Sequence, residues 1–120
     1  MPHKIGTLLD DIRGCVERIQ EFTANQTLAK YSADELVRSA VERQFTIIGE
    51  AAVRLRNVAP DILARIDNHY AIIRFRNILV HGYEEIDDAI VWRTIQSDLP
   101  LLKQQVSEMI AELESAEPKA

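Results

Sequence analysis

Apolar residues recur every three or four positions along most of this chain, which is the period of a helix with one buried face. Ile5, Leu8, Leu9, Ile12, Cys15, Val16 and Ile19 share such a face, with Asp, Arg and Glu between them, and predict a first helix over about 3–22. A polar stretch through Thr23, Asn25, Gln26 and Thr27 follows. Ser32 with Glu35 three residues later has the form of a capping box and predicts the start of a second helix. That helix runs through Phe45, Ile48, Ala52 and Leu55 and should stop near Asn57, before Pro60. A short turn of helix over about 61–66 leads to Asp67-Asn68-His69, which is loop-like in composition. The next helix, over about 70–81, is the most apolar, with Ile72, Ile73, Phe75, Ile78, Leu79 and Val80, and Gly82 stands where a left-handed residue would end it. Asp87 is placed to cap a last long helix whose stripe is Ile90, Val91, Ile95, Leu99, Leu102, Val106, Ile110 and Leu113. Pro100 interrupts that stripe and predicts a kink or brief break near Ser97–Leu99. No segment alternates as a strand would. The expectation is an all-α, up-and-down bundle of four long helices plus a short one, forming one domain over 1–120, with a polar tail that frays from about residue 115.

Composition narrows the class. Apolar residues make up 47% of the chain and charged residues 28%, too apolar for disorder, and 120 residues suffice for one core but not two. The single cysteine excludes an internal disulfide, and no Cys/His grouping has metal-ligand spacing, so no metal and no cofactor is expected. The opening Met-Pro-His-Lys-Ile-Gly lacks the pattern of a signal peptide, and no run reaches the roughly 18 apolar residues of a membrane span. A cytoplasmic protein without membrane contact is expected.

A net charge of −5 argues against broad, nonspecific nucleic-acid binding. Its distribution modifies that reading. Residues 54–76 hold five arginines (54, 56, 65, 74, 76) against Asp61 and Asp67, a balance of +3. From Glu84 onward, three cations face nine carboxylates, a balance of −6. A restricted basic site could hold a phosphate backbone while an acidic surface meets a basic protein; the same pattern also suits a merely solvated surface.

The candidate chemistry lies in the run from Arg74 to Tyr83, Arg-Phe-Arg-Asn-Ile-Leu-Val-His-Gly-Tyr, where polar residues interrupt the apolar helix. Asn77 and His81 are four apart and share a face, whereas Arg76 lies about 140° around the helix from His81. The long arginine side chain and the helix end at Gly82 could still converge the two on one small anion, with Tyr83 just beyond. These residue types suit cleavage of an RNA phosphodiester by its own 2′-hydroxyl. Histidine can accept or give a proton near neutral pH, and a guanidinium fork matches the oxygens of the developing dianionic phosphorane. Such a reaction needs no metal, because the nucleophile is already in the substrate.

Arg76, four residues, His81, one residue, Tyr83 resembles the motif of HepT-like toxins of the HEPN superfamily. The resemblance extends to Ile47-Ile48-Gly49-Glu50-Ala51-Ala52 upstream and to Glu85-Ile86-Asp87, Val91-Trp92 and Asp98-Leu99-Pro100 downstream, so it covers about residues 4–115. It implies a HEPN-like helical RNase that forms a homodimer and brings two motif copies to one cleft. It also implies a neighbouring MntA-like minimal nucleotidyltransferase antitoxin that adenylylates the motif tyrosine. Carried over, Arg76 and His81 are catalytic and Tyr83 is the modified residue. Many relatives have a tryptophan where this chain has His69-Tyr70-Ala71, which bears on packing ahead of the motif.

The remaining residues keep two readings each. Arg76 either pairs with Glu50, which would orient its guanidinium, or faces substrate; Asn77 is a substrate ligand or a helix-to-helix hydrogen bond; Glu50 is a participant or a support. Gly49 reads as a site of close helix approach, Arg74 and Arg54 as RNA-steering or solvated cations, Cys15 and Trp92 as core, and His3 and His69 as inert. A non-catalytic helical module that docks a nucleotidyltransferase is the alternative to the toxin reading.

Overall fold

The computed structural model describes residues 2–82 and 85–116. Six helices follow one another: α1 (Pro2–Thr23), α2 (Leu28–Ala33), α3 (Glu35–Val58), α4 (Pro60–Ala64), α5 (His69–His81) and α6 (Asp88–Ala116). The expected all-α bundle is what forms, with α1, α3, α5 and α6 as its long members. The apolar stripes read from the sequence face inward. Leu8, Leu9, Ile12, Cys15, Val16 and Ile19 of α1, Phe45, Ile48, Ala52 and Leu55 of α3, and Val91, Ile95, Leu99, Leu102, Val106 and Ile110 of α6 are buried in one core. Helix α1 packs along both α3 and α6, and Arg18 Nε donates to Gln44 Oε1 at 2.9 Å across the α1–α3 seam.

Two local expectations are corrected. Ser32 does not open a helix; it lies inside α2, a short helix absent from the sequence-based reading. Thr27 caps α2 by accepting from the Lys30 amide, and Asp34 caps α3 by accepting from the Val37 amide at 3.1 Å. The cause is Tyr31, whose fully buried ring packs 5.7 Å from that of Trp92 and pulls this polar stretch onto the core as a turn of helix. Of the kink or brief break expected at Pro100, the break does not occur: α6 continues from 88 to 116. Proline leaves one carbonyl a turn earlier without its amide partner. Pro100 and Gln96 are both exposed, so water can serve that carbonyl while Leu99 and Leu102 anchor the helix on either side.

The other boundaries follow the expected signals. Pro60 sits at the start of α4, where its missing N–H costs nothing. Asp87 Oδ1 accepts from the amides of Ala89 at 2.9 Å and Ile90 at 3.4 Å and so caps α6. The placement of α5 departs from the usual pattern. It is the most apolar helix of the chain, yet none of its residues is fully buried. Its main packing partner is α3, so on the side facing α6 its apolar residues line an open groove.

Candidate active site

Helix α5 carries the motif, and α3 fixes where α5 sits. Gly49 on α3 is buried directly beneath Arg76. A Cβ added at Gly49 would stand 2.1 Å from Arg76 Cβ and 2.6 Å from its Cγ, distances no real pair of carbons tolerates. The two helices therefore meet at a point where only glycine fits, as the sequence suggested. This contact sets the height and rotation of Arg76 against the core.

From that seat the Arg76 side chain turns along its own helix. Its Nη1 donates to Asn77 Oδ1 at 3.0 Å, while its Nε is buried without an acceptor. A buried donor left unpaired costs on the order of 1–3 kcal/mol, and such exceptions concentrate where a site holds a group for function rather than stability. Asn77 shares its helical face with His81, one turn further on. Asn77 thus links the α3-facing side of the helix, where Arg76 is rooted, to the side that carries the histidine. Of the two readings left open for Arg76, the pairing with Glu50 does not form. Glu50 is half-buried beside Gly49 and makes no ion pair or hydrogen bond with a described residue, so the partner that orients the Arg76 guanidinium is Asn77.

His81 is the last residue of α5 and is exposed. Gly82 follows with φ 65° and ψ 31°, a left-handed conformation that costs a residue with a Cβ about 1–2 kcal/mol, and its amide donates to the Ile78 carbonyl at 2.8 Å. The helix consequently ends directly after the histidine, which stays exposed at its last position. Tyr83 lies outside the described residues. Arg74 is exposed and borders two concavities on opposite sides of α5.

The first concavity, about 360 Å³, is the groove between α5 and α6. Ile72, Phe75, Ile78, Ile90 and Leu102 line it, and Glu85, Asp87 and Asp98 edge it on the α6 side. Ile90, expected within the core stripe of α6, is 51% exposed there. The second concavity, about 410 Å³, lies at the α3–α4–α5 corner. The sequence carries one signal for it beyond the motif: Tyr70 and Arg74 are four apart and share the face of Asn77 and His81.

Outside the site, Cys15 is fully buried, and burial pushes its thiol above the ordinary range, which suits core packing and not nucleophilic chemistry. Among the described residues, no group of three or more His, Cys, Asp or Glu side chains could hold a metal ion, and no helix is long and apolar enough to cross a membrane.

Comparison with known proteins decides the family. The sequence profile described as ribonuclease HepT-like matches residues 12–109, which span the Gly49 contact, the whole of α5 and most of α6. The chain belongs to the HepT-like ribonuclease family. Within it, the chain is 33% identical over 99 residues to a Thermococcus cleftensis protein named probable ribonuclease HepT, covering 79% of this chain and 86% of that one. It is 30% identical over 104 residues to a Methanocaldococcus jannaschii protein with RNase in its name, covering 85% and 93% of the two chains. A second protein of that archaeon, whose name joins a gamma-glutamylcyclotransferase to an RNase, is 28% identical over 109 residues, and the match covers 88% of this chain but 47% of the longer relative. The HepT-like match therefore takes in both helices that build the motif and the groove beside it.

Proposed function

We propose that this HepT-like chain is a metal-independent endoribonuclease, the toxin of a toxin–antitoxin pair, with Arg76 and His81 as its catalytic residues. The observation that carries the reading is the Arg76 guanidinium, rooted against Gly49 and held by Asn77 on the face that ends at His81. In the reaction, the 2′-oxygen bonds to phosphorus as the imidazole takes its proton, and the bond from phosphorus to O5′ breaks. The guanidinium offsets charge on the phosphorane oxygens, and O5′ leaves with a proton from a second, protonated imidazole. The products end in a 2′,3′-cyclic phosphate and a 5′-hydroxyl. Asn77 positions the guanidinium, and Arg74 contacts the RNA backbone.

One chain supplies one motif histidine, so the acid and the base come from two copies. The open α5–α6 groove supports this homodimer. Its apolar wall lies beside the motif helix and would be covered by a second copy packed about a two-fold axis. The antitoxin of this reading is an MntA-like nucleotidyltransferase that adenylylates Tyr83, setting bulk and negative charge where substrate phosphate would sit. The pair would act in the cytoplasm.

The test is cleavage of RNA by purified protein with and without chelator. Chelator-resistant cleavage that yields cyclic-phosphate ends and is lost in both His81→Ala and Arg76→Ala is the expected result. No cleavage by the wild-type chain, with an intact complex formed with a nucleotidyltransferase, would replace the enzyme by a docking module. On co-expression with the neighbouring nucleotidyltransferase, wild-type protein should gain the mass of AMP and Tyr83→Phe should not.

A further inference from the structure

The basic hollow at the α3–α4–α5 corner adjoins the site above, sharing Arg74 and Asn77 with it, but its far end holds residues that the chemistry does not use. It is about 410 Å³ and draws Arg56 from the last turn of α3 and His69, Tyr70, Arg74 and Asn77 from α5. None of its described lining residues is acidic, in a chain whose net charge is −5. Tyr70 is 82% exposed, and its ring stands 4.3 Å from that of His69 at a tilt of 36°.

The helix gives the hollow a direction. Tyr70, Arg74, Asn77 and His81 lie at i, i+4, i+7 and i+11, within a narrow arc of α5. They form one polar stripe about 16 Å long, at 1.5 Å per residue. It begins at an aromatic ring, passes a guanidinium and an amide, and ends at the motif histidine. That length corresponds to a few nucleotides rather than one.

We propose that this hollow is a nucleotide subsite for single-stranded RNA, in which an unpaired base stacks on Tyr70 and a flanking phosphate sits between Arg56 and Arg74. The proposal rests on the RNase reading and adds where the strand runs: from the scissile phosphate at His81, along the stripe, to a base held a few nucleotides away. Single-stranded nucleic acid is bound in this way, by a cationic track for the backbone and aromatic faces for the bases, whereas bases within a duplex are already stacked and cannot use the ring. Under two-fold symmetry a second copy would set Arg56 and Arg74 against the same arginines, which makes it a poorer occupant than a polyanion.

The experiment measures the affinity of a fluorescein-labelled oligoadenylate of about twelve nucleotides for His81→Ala protein, alone and combined with changes at Tyr70. Tyr70 carries no charge, so its removal leaves general electrostatics intact. We expect Tyr70→Ala and Tyr70→Leu to weaken single-strand binding about tenfold, Tyr70→Phe to stay within about twofold, and Arg93→Ala, on α6, to change it less than about twofold. A duplex of the same length should be insensitive to Tyr70. In active protein, Tyr70→Ala should raise KM about tenfold and lower kcat less than about threefold. Binding by Tyr70→Leu equal to wild type overturns the subsite, as does a loss in Tyr70→Ala traced by sedimentation to a change in oligomeric mass. The two readings fail separately. Tyr70-dependent binding by a protein that cuts no RNA leaves the subsite and removes the nuclease, whereas cleavage with an unchanged KM in Tyr70→Ala does the reverse.

Discussion

At the scale of single residues, the decisive contact is Gly49 against Arg76. Because Cβ at position 49 would lie 2.1 Å from Arg76 Cβ, Gly49→Ala must push α5 off α3. Overpacking of this kind costs about 1–3 kcal/mol, and a misplacement of about 1 Å at a reacting group can cost about a hundredfold in rate. We expect Gly49→Ala to lower the midpoint of chemical denaturation and to lose RNA cleavage by a larger factor than its stability loss explains. Asn77→Ala separates orientation from packing: the half-buried amide leaves only a small void, but Arg76 loses its hydrogen bond at 3.0 Å. Stability within about 1 kcal/mol of wild type, with a fall in kcat rather than a rise in KM, is the expected outcome. Cys15 gives a control. Buried and held as a thiol, it should resist alkylation in folded protein and react fully in denaturant, followed by intact mass.

At the scale of elements, the joint among α2, α3 and α6 holds a cluster that bears on the motif because α6 begins there. Arg38 donates to the Ser32 carbonyl and lies 3.9 Å from Asp88, the first residue of α6, while the Tyr31 hydroxyl is buried with no partner. Burial, and secondarily the charge of Asp88, pushes the Glu42 carboxyl above the ordinary carboxylate range, with Arg38 opposing. The sign follows from linkage. A carboxyl raised on folding binds its proton more tightly in the native state, so its unfavourable contribution grows as pH rises from the ordinary carboxylate range through the raised value. Glu42→Gln should therefore be at least as stable as wild type at neutral pH and should flatten the decline in stability above the carboxylate range, measured by urea denaturation across pH. The cap on α6 works in the opposite sense. Asp87→Ala removes the acceptor for two amides and should cost about 1 kcal/mol, with its effect concentrated in the first turn and readable by hydrogen exchange there.

At the scale of the whole molecule, the open side of α5 dominates. A helix without a fully buried residue contributes less to the core than its composition suggests, and it leaves an open groove against α6, where the proposed second copy would pack. Ile90→Lys places a charge at a half-exposed position of that wall without touching the core. On the proposed homodimer, the wild-type chain should sediment as a dimer and Ile90→Lys as a monomer that no longer cleaves RNA, with its helical content intact.

The four long helices and their inward faces are legible in the chain alone, because the 3.6-residue period and the caps at Asp87 and Gly82 are local and answer to nothing distant. The sequence also determined the motif as an ordered set of residue types, and the small residue at 49 where two helices could meet. Other features are settled by side chains far apart in the chain. Tyr31 finds its place against Trp92 and draws out a helix where the capping pattern at Ser32 pointed elsewhere. Arg76 takes Asn77 rather than Glu50 as its partner, because the close approach at Gly49 directs the arginine along its own helix. Arg56 and Tyr70, fourteen positions apart by number, come to one hollow only when α3, α4 and α5 fold around a common corner. Periodicity specifies which face of a helix is apolar; the three-dimensional packing decides which part of that face is covered, and for α5 it leaves the side toward α6 open.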